Sequence, residues 1–142
     1  MQEKEIGKAA ASMVKTALQE KIRNSGLHLS DKKKNSLVKA TGAPRMSKIY
    51  PGELYGIAVK MPKHGFVLNF GATTQRRTGI VKRETPRTTF YKRKAHPFHL
   101  EPRSFIDDAI TDSGAVDYLS EKIGEIRAEA VVNQIGKAFS HE

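Results

Sequence analysis

The stretch Gly65-Phe66-Val67-Leu68-Asn69-Phe70-Gly71-Ala72-Thr73 opens the part of the chain on which the fold turns. It is a short apolar run that ends at a glycine. Residues 65–70 read as either a short strand or a single helical turn, because periodicity does not separate the two at this length. Residues 72–97 follow with eight cations, Arg76, Arg77, Lys82, Arg83, Arg87, Lys92, Arg93 and Lys94, and one acid, Glu84. Threonines and the pair Phe90-Tyr91 interrupt the charges. This segment reads as a long loop or an extended β-hairpin arm. Loops beyond ~12–15 residues in compact domains are usually functional or disordered. Beyond it, Ser104-Phe105-Ile106-Asp107 fits a capping box, and Asp107 and Asp108 suit the positive end of a helix over 104–112.

Long helices flank this block. Residues 2–25 place Ile6, Ala10, Met13, Val14, Ala17, Leu18 and Ile22 at spacings of three and four, which predicts a helix stopped by Asn24-Ser25-Gly26. A last helix is expected over 115–139, with Leu119, Ile123, Ile126, Ala130, Ile135 and Phe139 on one stripe. Between the first helix and the central block, Leu37-Val38 and Thr41-Gly42-Ala43-Pro44 read as a short element and a turn. Residues 53–61, bounded by Pro51-Gly52 and Pro62, read as a strand that Gly56 weakens or bulges. The two long helices need a shared surface, and a small antiparallel sheet supplies one. The expected fold is one α+β domain over residues 1–142, with a protruding basic loop or hairpin at 72–97.

Composition narrows the function. The chain has 142 residues, no cysteine and a net charge of +10, so disulfide frameworks and thiolate metal sites are excluded. No apolar run reaches the ~20 residues of a membrane span. The Met1-Gln-Glu-Lys-Glu start reads as a helix rather than a signal peptide, which suggests synthesis in the cytoplasm. The charge is uneven: residues 1–100 hold 21 Lys+Arg against 6 Asp+Glu, and residues 101–142 hold 4 against 9. Such asymmetry points to a polyanionic partner or to complementary contacts between copies, against the plainer reading of a solvated basic surface.

The constellations that invite an enzymatic reading are weak. His96 and His99 are three apart, but a zinc site needs further ligands and Pro97 breaks any regular helix between them. The acids Asp107, Asp108 and Asp112 are explained by their place in a helix. No phosphate-binding glycine loop or glycine-flanked nucleophile occurs. The chain is therefore expected to have no catalytic residues, no metal and no cofactor. The basic segment is the functional signal. Its cations suit sequence-independent contact with a phosphate backbone, and equally an arm that orders on an acidic protein surface.

The order of long helix, small sheet, Phe-Gly turn, variable basic segment, short helix and long helix resembles the tail-completion or head–tail joining proteins of long-tailed bacteriophages, also described as minor tail components. The family's turn reads approximately Glu-Phe-Gly-Thr. Asn69-Phe70-Gly71-Ala72 matches at Phe70 and Gly71 and departs at Asn69 and Ala72. A later family motif, Pro-Phe-Leu-x-Pro-Ala-Leu, is approached by Ser104-Phe105-Ile106-Asp107-Asp108-Ala109-Ile110. Phe105, Ala109 and Ile110 fit there and both prolines are absent. A second register places the family's Pro-Phe on Pro97-Phe98.

The resemblance implies a non-enzymatic virion protein of the tail or neck. It implies assembly into a ring, of six subunits, with neighbouring copies and with tail-tube and head-connector proteins as partners. In such a ring the basic arm would line a DNA channel or clasp the neighbouring ring. The shared positions are expected to identify the fold: Phe70 and Phe105 as core aromatics, Gly71 as the sharp turn. The alternative reading is a small basic accessory protein that binds DNA or RNA.

Overall fold

Residues 2–26, 36–84 and 86–139 are described in the computed structural model. The three-and-four spacing of small and apolar residues makes the start of the chain helical: α1 spans Gln2–Asn24. Its buried stripe runs Gly7, Ala10, Ala11, Val14, Leu18 and Ile22. The stop falls where the sequence places it, with Gly26 at φ +65° and its amide bonded to the Arg23 carbonyl. Contacts divide the chain into two compact units, Met1–Pro62 with Phe105–Glu142, and Lys63–Ser104.

In the first unit, β1 (Thr41–Met46) pairs antiparallel with β2 (Leu54–Lys60), from Thr41↔Lys60 to Met46↔Leu54. The register slips between Arg45 and Met46, so Tyr55, beside Gly56, is the extra residue of a bulge. The expected turn at Thr41-Gly42-Ala43-Pro44 is instead part of β1. In a two-stranded sheet Pro44 can sit on an edge, where its missing donor costs no ladder bond. A single 3-10 turn, Leu37–Lys39, precedes β1. Gln19 of α1 fixes it by donating to the carbonyls of Val38 at 2.8 Å and Ala40 at 3.2 Å. A Cβ on Gly42 would lie 2.5 Å from the Ala11 carbonyl oxygen, so the strand lies directly on the helix backbone.

The unit is completed by α3 (Phe105–Asp112) and α4 (Ala115–Phe139), joined through Gly114 at φ +64°. Ala10, Val14 and Ala115 form a core cluster, with Met13, Ile57, Val59, Ile110, Tyr118 and Leu119 packed around it. Phe105, expected as a core aromatic, is buried in this unit, and so is Ala109. Ser104 takes φ +20°, outside the extended region of an N-cap residue, so the expected capping box does not define the start of α3.

The stripe expected along α4 does not hold to its end. Ile135 and Phe139 are 51% and 80% exposed, and Ala130 is exposed too. At ~100° per residue, Leu119 and Ile135 point about 160° apart around the axis. The first half of α4 turns its apolar face to the core, while residues 127–139 are exposed all round and Val131, Val132, Ile135 and Phe139 form a second apolar face.

The second unit opens with α2 (Lys63–Phe70), which resolves the ambiguous run in favour of a helix. The phase of that helix buries Gly65 and Asn69, four apart, and turns out Phe66 and Phe70. Phe70 is 69% exposed, so the expectation that it fills a core is corrected: position 69, not 70, faces inward. Gly71 follows at φ +74°, and a Cβ there would meet the Leu100 carbonyl at 2.6 Å. The chain then forms β3 (Ala72–Arg76), β4 (Gly79–Arg83), β5 (Thr89–Arg93) and β6 (His96–Leu100). The architecture is α+β, with small antiparallel sheets and long terminal helices.

Candidate interaction surface on a basic ribbon

The basic segment is a two-stranded ribbon. β3 pairs with β6 from Ala72↔Leu100 to Arg76↔His96, and β4 pairs with β5 from Gly79↔Arg93 to Arg83↔Thr89. Stepping three residues along each strand from Arg76↔His96 gives Gly79↔Arg93, so both pairs share one register across the interruption. All eight candidate cations lie in this ribbon or its connections. Among the described residues of the second unit only Gly65 and Asn69 are buried, so the ribbon stands on hydrogen bonds with little apolar support. Isolated two-stranded ribbons are marginally stable in water.

The cations are largely unneutralised. Lys82 pairs with Glu84 at 3.0 Å, and among the described residues no carboxylate pairs with the other seven. Arg76 stacks on Phe98, its guanidinium carbon 4.0 Å from the ring centroid. Arg93 is half-buried and donates to the Arg77 carbonyl at 3.3 Å, which gives it a structural share. Arg77, Arg83, Arg87, Lys92 and Lys94 are exposed.

Alternation along β4 and β5 sorts the tip of the ribbon into two faces. Ile80, Lys82, Phe90 and Lys92 share one face and all four are exposed, Ile80 at 77% and Phe90 at 67%. The opposite face carries Val81, Tyr91, Arg83 and the half-buried Arg93. The mixture of ammonium groups with bare apolar side chains on one face is not visible from a count of basic residues. The alternation Ile80-Val81-Lys82-Arg83 was the available signal, and it was masked because both sets contain a cation.

His96 and His99 do not converge. Three residues apart on a strand, they face opposite sides; His96 Nδ1 lies 3.1 Å from the Lys94 carbonyl and His99 Nδ1 lies 2.9 Å from the Thr73 hydroxyl. No group of three His, Asp or Glu side chains among the described residues is placed to hold a metal ion. Asp112 is drawn to Lys21 at 2.5 Å, and this contact raises the pKa of the lysine.

The first unit carries the acidic counterpart that the charge split of the chain leads one to expect. Asp117, Glu121, Glu125 and Glu129 recur every fourth residue on α4. Glu125 and Glu129, with Glu5 and Gln2 of α1, rim a groove whose floor is Ile6 and Ile126. Two of the rim carboxylates touch a lysine on their own helix, Glu5 with Lys8 at 2.8 Å and Glu125 with Lys122 at 3.0 Å. The Lys8 hydrogen bond holds the Glu5 carboxyl below its usual range. Such exposed pairs contribute little and exchange readily.

No described helix is long and apolar enough to cross a membrane. No family model, curated protein or solved structure matches the chain.

Proposed function

We propose that this chain is a non-enzymatic structural subunit of a phage tail or head–tail junction, which assembles into a ring and completes or joins the tail. One observation carries the reading: the unit between the terminal helices is a ribbon without an apolar core, with seven cations that no described carboxylate pairs and apolar side chains left bare. Such an element gains its stability and its use from what it is held against. The exposed apolar face of the α4 end, with Val131, Val132, Ile135 and Phe139, supports the same reading, because an assembly subunit needs more than one surface for partners. The ring of six subunits, the virion location and the tail-tube and connector partners come from the family resemblance.

A second reading is favoured by the ribbon itself. A two-stranded ribbon fits the major groove of duplex DNA, and its cations would neutralise phosphates. A small basic DNA- or RNA-binding accessory protein would use the same residues.

The test is charge reversal on five of the exposed cations, Arg77, Arg83, Arg87, Lys92 and Lys94, each to Glu. The isolated variant is expected to keep its helical circular dichroism and to fail to enter tails or neck complexes in a complementation assay. Normal tail joining by the folded variant would overturn the proposal. Tight, steeply salt-dependent binding of the unaltered chain to duplex DNA, with no incorporation into tails, would move the assignment to the accessory protein.

A further inference from the structure

We infer that the ribbon tip of one copy docks into the acidic groove between α1 and α4 of a second copy. The inference rests on the assembly reading above and names the contact that would join neighbouring subunits. The two surfaces match in kind. The exposed tip face offers two apolar side chains, Ile80 and Phe90, flanked by two ammonium groups, Lys82 and Lys92. The groove offers an apolar floor, Ile6 and Ile126, rimmed by carboxylates including Glu125 and Glu129. Charge complementarity orients the approach, and burial of Ile80 and Phe90 on the floor supplies the non-polar part.

The match also accounts for the split in charge along the chain, which is strongly basic over residues 1–100 and acidic over residues 101–142. Ribbon and groove are different patches, so the contact is head-to-tail: each copy gives a tip and receives one. Repeated with a closing rotation, such a contact makes a ring. Lys82 releases Glu84, and Glu125 shares its Lys122 contact, at little cost because both pairs are exposed.

The absence of native cysteine makes the contact directly testable. One batch of full-length chain carries Ile80→Cys at the tip. A second carries Gln2→Cys at the groove, which leaves every rim carboxylate intact. A control batch carries Thr16→Cys, on an exposed part of α1 outside the groove. Mixed under mild oxidation at low salt, the tip and groove batches should form the mixed disulfide about ten-fold faster than tip and control, because docking raises the effective concentration. The excess should vanish at about 1 M NaCl, where charges are screened within ~3 Å. Lys82→Glu with Lys92→Glu on the tip batch should abolish it, and Glu125→Lys with Glu129→Lys on the groove batch should restore it.

Equal rates for the groove and control batches, both free and in assembled particles, would overturn the contact. If tails still incorporate the chain in that case, the tail reading stands without it. A salt-sensitive excess in a chain that never enters tails would keep the contact and sink the tail reading. Absence of the excess, together with protection of the tip thiol of the Ile80→Cys batch by duplex DNA, would give the tip to nucleic acid and overturn the contact.

Discussion

The Glu3 carboxylate clasps Arg127 across 124 positions of sequence, taking the guanidinium Nε at 3.1 Å while its other oxygen accepts the Leu54 amide at 2.6 Å. One side chain thus ties together the start of α1, the first residue of β2 and the middle of α4. Glu3 is only 8% exposed, so the carboxylate sits in a poorly hydrated site and depends on both partners.

The Arg127 hydrogen bond is the main cause that holds the Glu3 carboxyl below its ordinary value of 4.5; burial opposes it and the Leu54 amide assists. The unfolded chain therefore binds this proton more readily than the folded one. The stabilisation is complete above the ordinary carboxylate range and is lost as pH falls through the lowered folded value. Glu3→Gln should cost about 0.5–1.5 kcal/mol at pH 7, mainly from the weakened Leu54 amide bond, because the half-exposed Arg127 guanidinium returns to water. Urea midpoints of the two proteins should converge as pH falls from the ordinary carboxyl value of 4.5 through the lowered folded one. A constant gap over that range would mean that Glu3 acts through packing rather than charge.

Gly42 and Gly56 sit on paired strands of the same sheet and should respond in opposite directions. A methyl at Gly42 would press on the Ala11 carbonyl oxygen at 2.5 Å, whereas nothing lies within 4 Å of a methyl at Gly56. Gly42→Ala should destabilise the first unit by about 1–3 kcal/mol, because backbone cannot move aside as a side chain does. Gly56→Ala should be neutral or gain up to ~1 kcal/mol from the lowered entropy of the unfolded chain. Thermal unfolding of the two variants decides the matter, and equal losses would contradict the close packing of β1 on α1.

Gly71 joins two constraints at one residue. Its φ of +74° disfavours any side chain, and a Cβ would also meet the Leu100 carbonyl at 2.6 Å. Gly71→Ala should loosen the Ala72↔Leu100 end of the ribbon. Hydrogen exchange at the β3 and β6 amides should accelerate, while the amides of α1 keep their protection. Unchanged exchange in β3 would show that the ribbon does not depend on this turn.

The legible parts of this fold were those with long periodic runs. The limits of α1 and α4 and the end of α3 follow from glycines and three-and-four spacing, and α4 runs Ala115–Phe139 as the spacing predicts, whereas the start of α3 does not rest on the Ser104 cap. α2 was undecided because eight residues of mixed character fit a strand as well as a helix. Phe70 was misplaced for the same reason: its burial depends on the helical phase, which was unknown until the helix was. The ribbon pairing was only half visible, since strand alternation shows when one face is apolar and the other polar, and here cations occupy both. The acidity of residues 101–142 is legible in the charge split, which already points to contacts between copies; what the split does not show is the spacing of four from Asp117 to Glu129 that gathers the carboxylates along α4.

The stripe fails at the end of α4 because the helix leaves the core there: residues 127–139 are exposed all round, Ala130 included, although it lies about 20° from Leu119 around the axis. That departure yields the last prediction. Ile135→Asp with Phe139→Asp alters two side chains that are exposed in the folded chain, so stability should stay within about 0.5 kcal/mol of the original. Ile126→Asp, at a half-buried position on the groove floor, should cost several times more, because it puts a charge against the apolar side chain of Ile6. Entry into tails should separate the two effects: the Ile135/Phe139 variant should fold normally and assemble poorly. Full assembly of that variant would leave the second apolar face without a role. A large loss of stability would mean that the face is covered in the isolated protein, and the exposed end of α4 would have to be abandoned.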